Sequence, residues 1–366
     1  LERLTEVTAR CLLEEGHEVT VVTATLDPEG ASRPFAYPVE RRPGIRRLAC
    51  LVLWSDVIHL NTFQAKIVAL ARLLRRPMVW QHIDYDTISP RGICFRTGRS
   101  CCGDLRECFR CLRLDHTLKA AVRAMASLIL KRASAGAMAA NAISTDYARE
   151  RMRLPHAVRI PFGTDRSRFL PREKPPAPPL RVFFHGRHLP AKGCDVLVRA
   201  ARDCRERGVP LAVRIAGDGP HRAVSEALAG ELGLEGMVAF LGFLPEEDLL
   251  RELQGAHVLV VPSTQDEIGQ LSAVEAMCCG CAVVASAIGA MPEYLGEAGL
   301  LFPAGNPREL ADRLARLAAD PALLTTLSER GMILAGAEYD CRVMGRRYVE
   351  LYEKVRGAGR QNALRA

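Results

Sequence analysis

The 366-residue sequence predicts two α/β domains, each a parallel sheet with helices on both faces. Three observations predict it: strand-like and helix-like segments alternate in two separate runs, a proline-rich stretch divides the runs, and the chain is longer than one ordinary core requires. Hydrophobic residues make up 48% and charged residues 25%, which excludes a disordered or fibrous chain. Aromatics are only 5%, and Ala, Leu, Val and Arg dominate, as suits helices packed on parallel sheets.

The first run opens with a helix over 2–15, where Leu4, Val7, Leu12 and Leu13 lie roughly along one face and Gly16 ends it. Residues 18–24 and 56–60 read as strands, 64–74 as a helix and 77–81 as another strand. An irregular Cys- and Arg-rich insert follows at 89–114. The apolar stretch 120–143 is interrupted by Arg123, Lys131 and Arg132, so it predicts a buried helix with a charged face, not a membrane span. Residues 158–160 form a short strand leading into Pro161-Phe162-Gly163-Thr164-Asp165. Five prolines between 171 and 179 stiffen the chain and remove backbone donors, the pattern of an interdomain linker.

In the second run, strands are expected at 181–185, 211–216, 238–241, 258–261 and 282–285. Helices are expected at 194–207, 222–232, 246–253, 271–279 and 307–319, with long helical segments closing the chain over 321–355. The boundaries are then 1–165 for the first domain, 166–180 for the linker and 181–340 for the second domain, with a final helix, 341–366, expected to return to the first. Two doubly wound domains facing across a cleft bind ligands beyond the carboxyl ends of their strands.

The formal net charge of +8 fits either an anionic partner or an Arg-rich composition with no partner implied. No nucleic-acid-reading motif occurs and basic residues are not interleaved with aromatics, which argues against a nucleic-acid partner. With no signal-peptide pattern and no apolar run of bilayer length, thirteen cysteines predict free thiols or metal ligands in a reducing cytoplasm.

Three loops carry candidate chemistry. Gly186-Arg187-His188-Leu189-Pro190-Ala191-Lys192-Gly193 follows a strand; its glycines allow tight turns, and Arg187 and Lys192 place two cations at one strand end, as a pyrophosphate needs. A surface loop carrying two solvated cations is the alternative. Gly217-Asp218-Gly219-Pro220 ends the next strand and lacks the third glycine of a dinucleotide fingerprint, so it reads as a turn that shapes the site. The third loop runs Pro262-Ser263-Thr264-Gln265-Asp266-Glu267-Ile268-Gly269-Gln270-Leu271 and enters a helix that carries Glu275. A helix N-terminus offers unpaired N–H groups to phosphate, and two glutamates at this spacing can read different parts of one ligand. Read in isolation, they are a capping carboxylate and a solvated one.

Taken together, residues 184–319 resemble family 4 of the GT-B glycosyltransferases. Glu267 and Glu275 match its Glu-x7-Glu signature, and GRxxxxKG at Gly186, GDGP at Gly217, LGF at Leu241, VPS at Val261 and EAMxxG at Glu275 follow in the family's order. Gly289, Pro292 and Glu293 match a later segment, and weaker matches at Gly16, Asp56 and Pro161 extend the likeness over nearly the whole chain. The resemblance implies a GT-B fold and retaining transfer of a hexose from a nucleotide-diphosphate sugar, with no cofactor required. Arg187 and Lys192 would stabilise the leaving diphosphate, Glu267 would hold sugar hydroxyls, Glu275 the ribose, and the amides of Ile268, Gly269, Gln270 and Leu271 the phosphates. The family places glycine three residues after its first carboxylate; Gly269 stands two after Glu267 and three after Asp266, so Asp266 remains a candidate. His82, followed by Asp84-Tyr85, matches a His-Asp-Tyr segment whose histidine lies near the reacting sugar in similar enzymes; a structural histidine is the alternative. Asp84-Tyr85-Asp86 mimics a metal-binding DxD, which the family rarely uses. The resemblance also implies a strand and glycine loop ahead of Leu1, so the sequence reads as truncated at its start.

Cys94, Cys101, Cys102, Cys108 and Cys111 fall within eighteen residues, and Cys108-x2-Cys111 has zinc-knuckle spacing. Cys94, Cys101, Cys108 and Cys111 are candidate ligands of a structural zinc, with free thiols as the alternative. Arg91, Arg96, Arg99, Arg106, Arg110 and Arg113 cluster in the same region and suggest peripheral contact with an anionic membrane, on its cytoplasmic face. The expected partners are a nucleotide sugar and a glycan, lipid-linked or small-molecule acceptor. The competing readings are a degenerate protein that binds a nucleotide sugar or glycan without turnover, and a GT-B nucleotide-sugar epimerase.

Overall fold

Apolar spacing decides the first helix: α1 (Glu2–Glu14) buries Leu4, Val7 and Leu12 on one face. The computed structural model describes residues 2–25, 35–90, 95–96, 99–100, 104–115 and 117–363. Two compact units emerge, the first comprising Leu1–Gly92, Gly103–Gly163 and Cys341–Ala366, the second Ile93–Cys102 and Thr164–Asp340.

In the first unit, β1 (Val21–Thr23) pairs in parallel with β2 (Val39–Arg41). There follow α2 (Ile45–Trp54), β3 (Ile58–Leu60), α3 (Ala65–Leu73) and β4 (Met78–Gln81). A two-stranded pair that belongs to the second unit, β5 (Phe95–Arg96) and β6 (Arg99–Ser100), comes next in the chain, and the first unit resumes with α4 (Leu105–Asp115), α5 (Leu118–Ala135), β7 (Ala140–Ile143), α6 (Asp146–Met152) and β8 (Ala157–Arg159). Strands β3, β4, β7 and β8 form one parallel sheet in that order. Strands β4 and β7 are buried at every residue, as strands covered on both faces must be. Trp80 sits at the centre of this core, 1% exposed among Leu60, Val68, Met78 and Met138. A cavity of about 1470 Å³ separates the β1–β2 pair from the four-stranded sheet, and both β1 and β3 line it.

The expectation of one helix over 120–143 is corrected. α5 stops at Ala135 before Gly136, and Ala140–Ile143 is an inner strand. Thr145 then caps α6 by accepting the Ala148 N–H at 3.2 Å. Alanine-rich sequence hid the switch, because small apolar residues fit a buried strand as well as a buried helix.

The second unit runs β9 (Leu180–His185), α7 (Cys194–Glu206), β10 (Leu211–Ala216), α8 (Arg222–Glu231), β11 (Val238–Gly242), α9 (Glu246–Gly255) and β12 (Val258–Val261). It continues through α10 (Leu271–Cys278), β13 (Ala282–Ser286), α11 (Met291–Leu295), β14 (Gly299–Phe302), α12 (Pro307–Ala319) and α13 (Pro321–Glu338). The last helix, α14 (Cys341–Ala363), belongs to the first unit, where it packs on α1. The main sheet of the second unit has six parallel strands in the order β11-β10-β9-β12-β13-β14. Leu197, Ala200, Ala201 and Cys204 of α7 and Leu310, Ala311, Leu314 and Leu317 of α12 join the strand valines in one core. β2, β14, α2 and α11 have no counterpart among the predicted elements; all are ten residues or shorter, too short for a clear period.

The proline-rich stretch is pinned to the second unit by three side chains. Lys174 Nζ donates to the carbonyls of Ala256 (2.5 Å) and Cys279 (3.2 Å), Gln254 Nε2 donates to Leu170 O at 2.9 Å, and His257 Nε2 donates to Pro175 O at 2.8 Å. The Ala256 and Cys279 carbonyls stand at the ends of α9 and α10, where the helix leaves acceptors unpaired and its dipole favours a cation. Lys174→Ala is expected to lower stability by about 1–3 kcal/mol, read as a shifted urea midpoint. An unchanged midpoint would mean that water serves these carbonyls equally well.

Candidate functional site

In the order β11-β10-β9-β12-β13-β14, β9 and β12 are neighbours whose connections run to opposite sides, so a crevice opens beyond their carboxyl ends. The two loops rich in candidate residues leave those two strands. Thr264 N–H donates to Ala191 O at 2.9 Å, which ties one loop to the other. A Cβ on Gly193 would lie 2.0 Å from the Pro262 carbonyl oxygen, and one on Gly217 1.9 Å from that of Gly186. Both residues also have positive φ, +69° and +117°, so glycine is needed twice over. Gly186 itself has neither a positive φ nor a close contact on its Cβ side, so the bend that the chain makes there does not by itself demand glycine. Its part is to present the carbonyl that Gly217 approaches.

Lys192 and Glu267 meet across this crevice. Lys192 Nζ lies 2.8 Å from both Glu267 oxygens, Ser263 Oγ donates to Oε1 at 2.9 Å, and Gln270 Nε2 donates to Oε2. The pair is partly buried, with side-chain exposures of 21% and 15%. Such a carboxylate, held by three donors, orients the ammonium and is itself oriented. Of the two acidic candidates it is therefore Glu267 that reaches Lys192; Asp266 is buried close to Gly289. Arg187 is exposed and, among the described residues, unpaired. Gln270 stands at the N-cap of α10 and Leu271 begins it; Ile268 is buried, and Glu275 is buried on the helix. Sequence reasoning missed Ser263 as a partner of Glu267.

His82 lies in the first unit, directly after β4, and is 1% exposed. Its Nε2 is 2.9 Å from Asn141 Oδ1 on β7, and its ring lies 4.5 Å from that of Trp80. Burial pushes its pKa down to about 4, against the smaller upward pulls of Asn141 and Asp86. Asp84 accepts the Asp86 N–H at 2.9 Å, and Asp86 pairs with Lys131 at 2.9 Å. The DxD-like carboxylates are thus engaged with protein groups. Cys94 and Cys101 lie outside the described residues. Cys108 and Cys111 stand one turn apart on α4, with the Cys108 thiol 3.9 Å from Ile88 O.

Residues 165–332 match the sequence model of the family described as "Glycosyl transferases group 1". This match lies wholly within the second unit. The chain is 32% identical to the 2-deoxystreptamine glucosyltransferase of Streptomyces kanamyceticus over 52% of this chain and 49% of that protein. It is 33% identical to the D-inositol 3-phosphate glycosyltransferase of Saccharomonospora viridis over 57% of this chain and 53% of that protein. The chain thus spans about half the length of the curated relatives it matches. Among solved structures, HepE of Anabaena in complex with UDP superposes with a TM-score of 0.70 at 19% identity, covering 95% of this chain and 96% of that one. The sucrose-phosphate synthase of Thermosynechococcus elongatus superposes with 0.72 at 21% identity, covering 96% and 92%. The fold is accordingly α/β, of the GT-B class with parallel sheets.

Burial, then the neighbouring Asp86 charge, raises the Asp84 pKa to about 6, while the Asp86 N–H pulls it down. A carboxyl raised in the fold binds more protons folded than unfolded between about pH 4 and 6, so its contribution is lost as pH rises through that window. Asp84→Asn is expected to raise stability at pH 7 by about 2–3 kcal/mol and to change little at pH 4. Urea titrations at the two pH values check this; equal effects at both would refute it.

Proposed function

We propose that the chain is a retaining glycosyltransferase that moves a hexose from a nucleotide-diphosphate sugar to a hydroxyl of a glycan, lipid-linked or small-molecule acceptor. The observation that carries this reading is the Lys192–Glu267 bridge at the crevice between β9 and β12, with Arg187 exposed in the same loop as Lys192. Breaking a glycosyl–phosphate bond sends its electron pair to the diphosphate, where negative charge grows, and leaves positive charge on the sugar. Arg187 and Lys192 act on the first charge as fixed cations, so little reorganisation is needed when the bond breaks. Glu267 holds Lys192 in place and accepts sugar hydroxyls, with Asp266 packed beside it. Amides of Ile268, Gly269, Gln270 and Leu271, at the start of α10, take phosphate oxygens, and the Gly186 and Gly217 turns leave room for them. Glu275 takes the ribose. His82, neutral at pH 7, serves a substrate hydroxyl from the first unit.

Relatives and structural neighbours support a sugar nucleotide as donor: two relatives are glycosyltransferases, and one solved neighbour is complexed with UDP. Thermal unfolding against UDP, GDP, ADP, dTDP and CDP tests the donor site. One diphosphate at a hundredfold over its dissociation constant is expected to add about 2.7 kcal/mol, and Arg187→Ala/Lys192→Ala to abolish the gain. No gain with any of them would sink the reading. A gain without turnover or hydrolysis of the corresponding nucleotide sugar would favour the non-catalytic alternative, and inversion at a sugar carbon of the free nucleotide sugar the epimerase.

We also propose peripheral contact with an anionic membrane. Among the described residues, no helix is long and apolar enough to cross one. Leu118, Val122 and Ile129 of α5 are exposed on one stripe, beside exposed Lys119 and Arg123, and α4 exposes Arg106, Arg110 and Arg113. Each basic residue near such a surface adds about 1 kcal/mol. Co-sedimentation should rise with the anionic lipid content of vesicles and fall when the three α4 arginines become Glu; indifference to anionic lipid would refute the contact.

A further inference from the structure

Asn141 occupies an inner strand, is fully buried and spends its whole amide. Its Nδ2 donates to two backbone carbonyls, Ala135 O at 2.9 Å and Pro155 O at 2.7 Å. Carbonyls only accept, so the reverse orientation of the amide would set oxygen against oxygen twice. Oδ1 must therefore face His82 Nε2, 2.9 Å away, and since Oδ1 only accepts, Nε2 must carry the hydrogen. A buried neutral imidazole has one N–H, so Nδ1 is left with a lone pair. Among the described residues Nδ1 is buried and meets no donor. Buried polar atoms without a partner are rare and call for a ligand or an ordered water.

We propose that Asn141 is a positioning residue that locks His82 as its Nε2–H tautomer, so that Nδ1 accepts a hydrogen bond from a substrate hydroxyl. This rests on the reading of His82 given above. The acceptor state suits a sugar or acceptor hydroxyl, which can always donate. It also separates His82 from acid–base duty at neutral pH, since the ring holds no acidic charge to give up. The titratable groups near it are Asp86, whose charge pulls the pKa up and is offset by Lys131, and Asp84 in the same loop. The remaining neighbours named here, Asn141 and the Trp80 ring, are uncharged.

Nitrogen-15 NMR of histidine-labelled protein tests the tautomer without any substrate, the His82 signal being assigned by its loss in His82→Gln. A protonated Nε2, a bare Nδ1 and no titration between pH 7 and 5 are expected. In Asn141→Asp the second carboxyl oxygen would meet the Ala135 and Pro155 carbonyls, which only accept, so the carboxyl should hold its proton and keep the lock. Asn141→Leu should release the lock and mix the tautomers. Hydrolysis of a panel of UDP-, GDP-, ADP-, dTDP- and CDP-hexoses should lose roughly tenfold or more in kcat in Asn141→Leu and be largely restored in Asn141→Asp. Nucleotide-diphosphate stabilisation, which reads the second unit, should stay as in the parent chain. A protonated Nδ1 in the parent chain overturns the proposal whatever the activity. A bare Nδ1 with hydrolysis indifferent to Asn141→Leu overturns the role given to His82, and the proposal with it, while leaving the donor site standing.

Discussion

Backbone-to-backbone contact at the carboxyl ends of β9, β10 and β12 is the constraint on which the second unit's site depends. Any side chain at Gly193 would strike the Pro262 carbonyl, and any at Gly217 the Gly186 carbonyl. Three loops that would otherwise move separately are thus set against one another at van der Waals distance. Their cations and carboxylates then inherit fixed positions. The Thr264 N–H bond to Ala191 adds a polar tie to the same contact. Parallel strands buried at every position supply the rigid base beneath it.

Charge is arranged differently in the two units. In the second, Glu267 is surrounded by donors and Lys192 is bound to it, so the pair is held ready at the crevice while Arg187 stays free in solvent. Burial of this pair is only partial. In the first, burial is nearly complete and charge is suppressed: His82 is held neutral and the Asp84 carboxyl is raised towards neutrality. Lys131 offsets Asp86 at the edge of that cluster. This contrast underlies the proposed roles, an anion at the second unit and neutral hydroxyls at the first.

Much of the second unit was legible because its signals are local. The α7 stripe of Val196, Leu197, Ala200, Ala201 and Cys204 follows the helical period, and the Val-rich strands are bounded by glycine loops. Arg187, Lys192 and Glu267 stand in loops that leave strand ends and Glu275 follows on the next helix, where sequence pattern locates them directly. The first unit was less legible. Its short strand β2 carries only three residues, and the Ala-rich stretch around Asn141 has no period that separates strand from helix. Gly136 and the Thr145 cap were the available signs of the break.

By itself the sequence determined the alternation of strands and helices, the placement of the cationic and acidic loops at strand ends, and the glycines that close approach demands. These are properties of residues near one another in the chain, set by period, turn chemistry and charge. Only the tertiary structure decided that Glu267, not Asp266, takes Lys192, and that Asn141 hydrogen-bonds His82 across fifty-nine residues. It also decided that Lys174 binds the proline-rich stretch to the ends of α9 and α10. Hydrogen bonds between distant segments depend on strand order and on burial, and neither is written in any local run of residues.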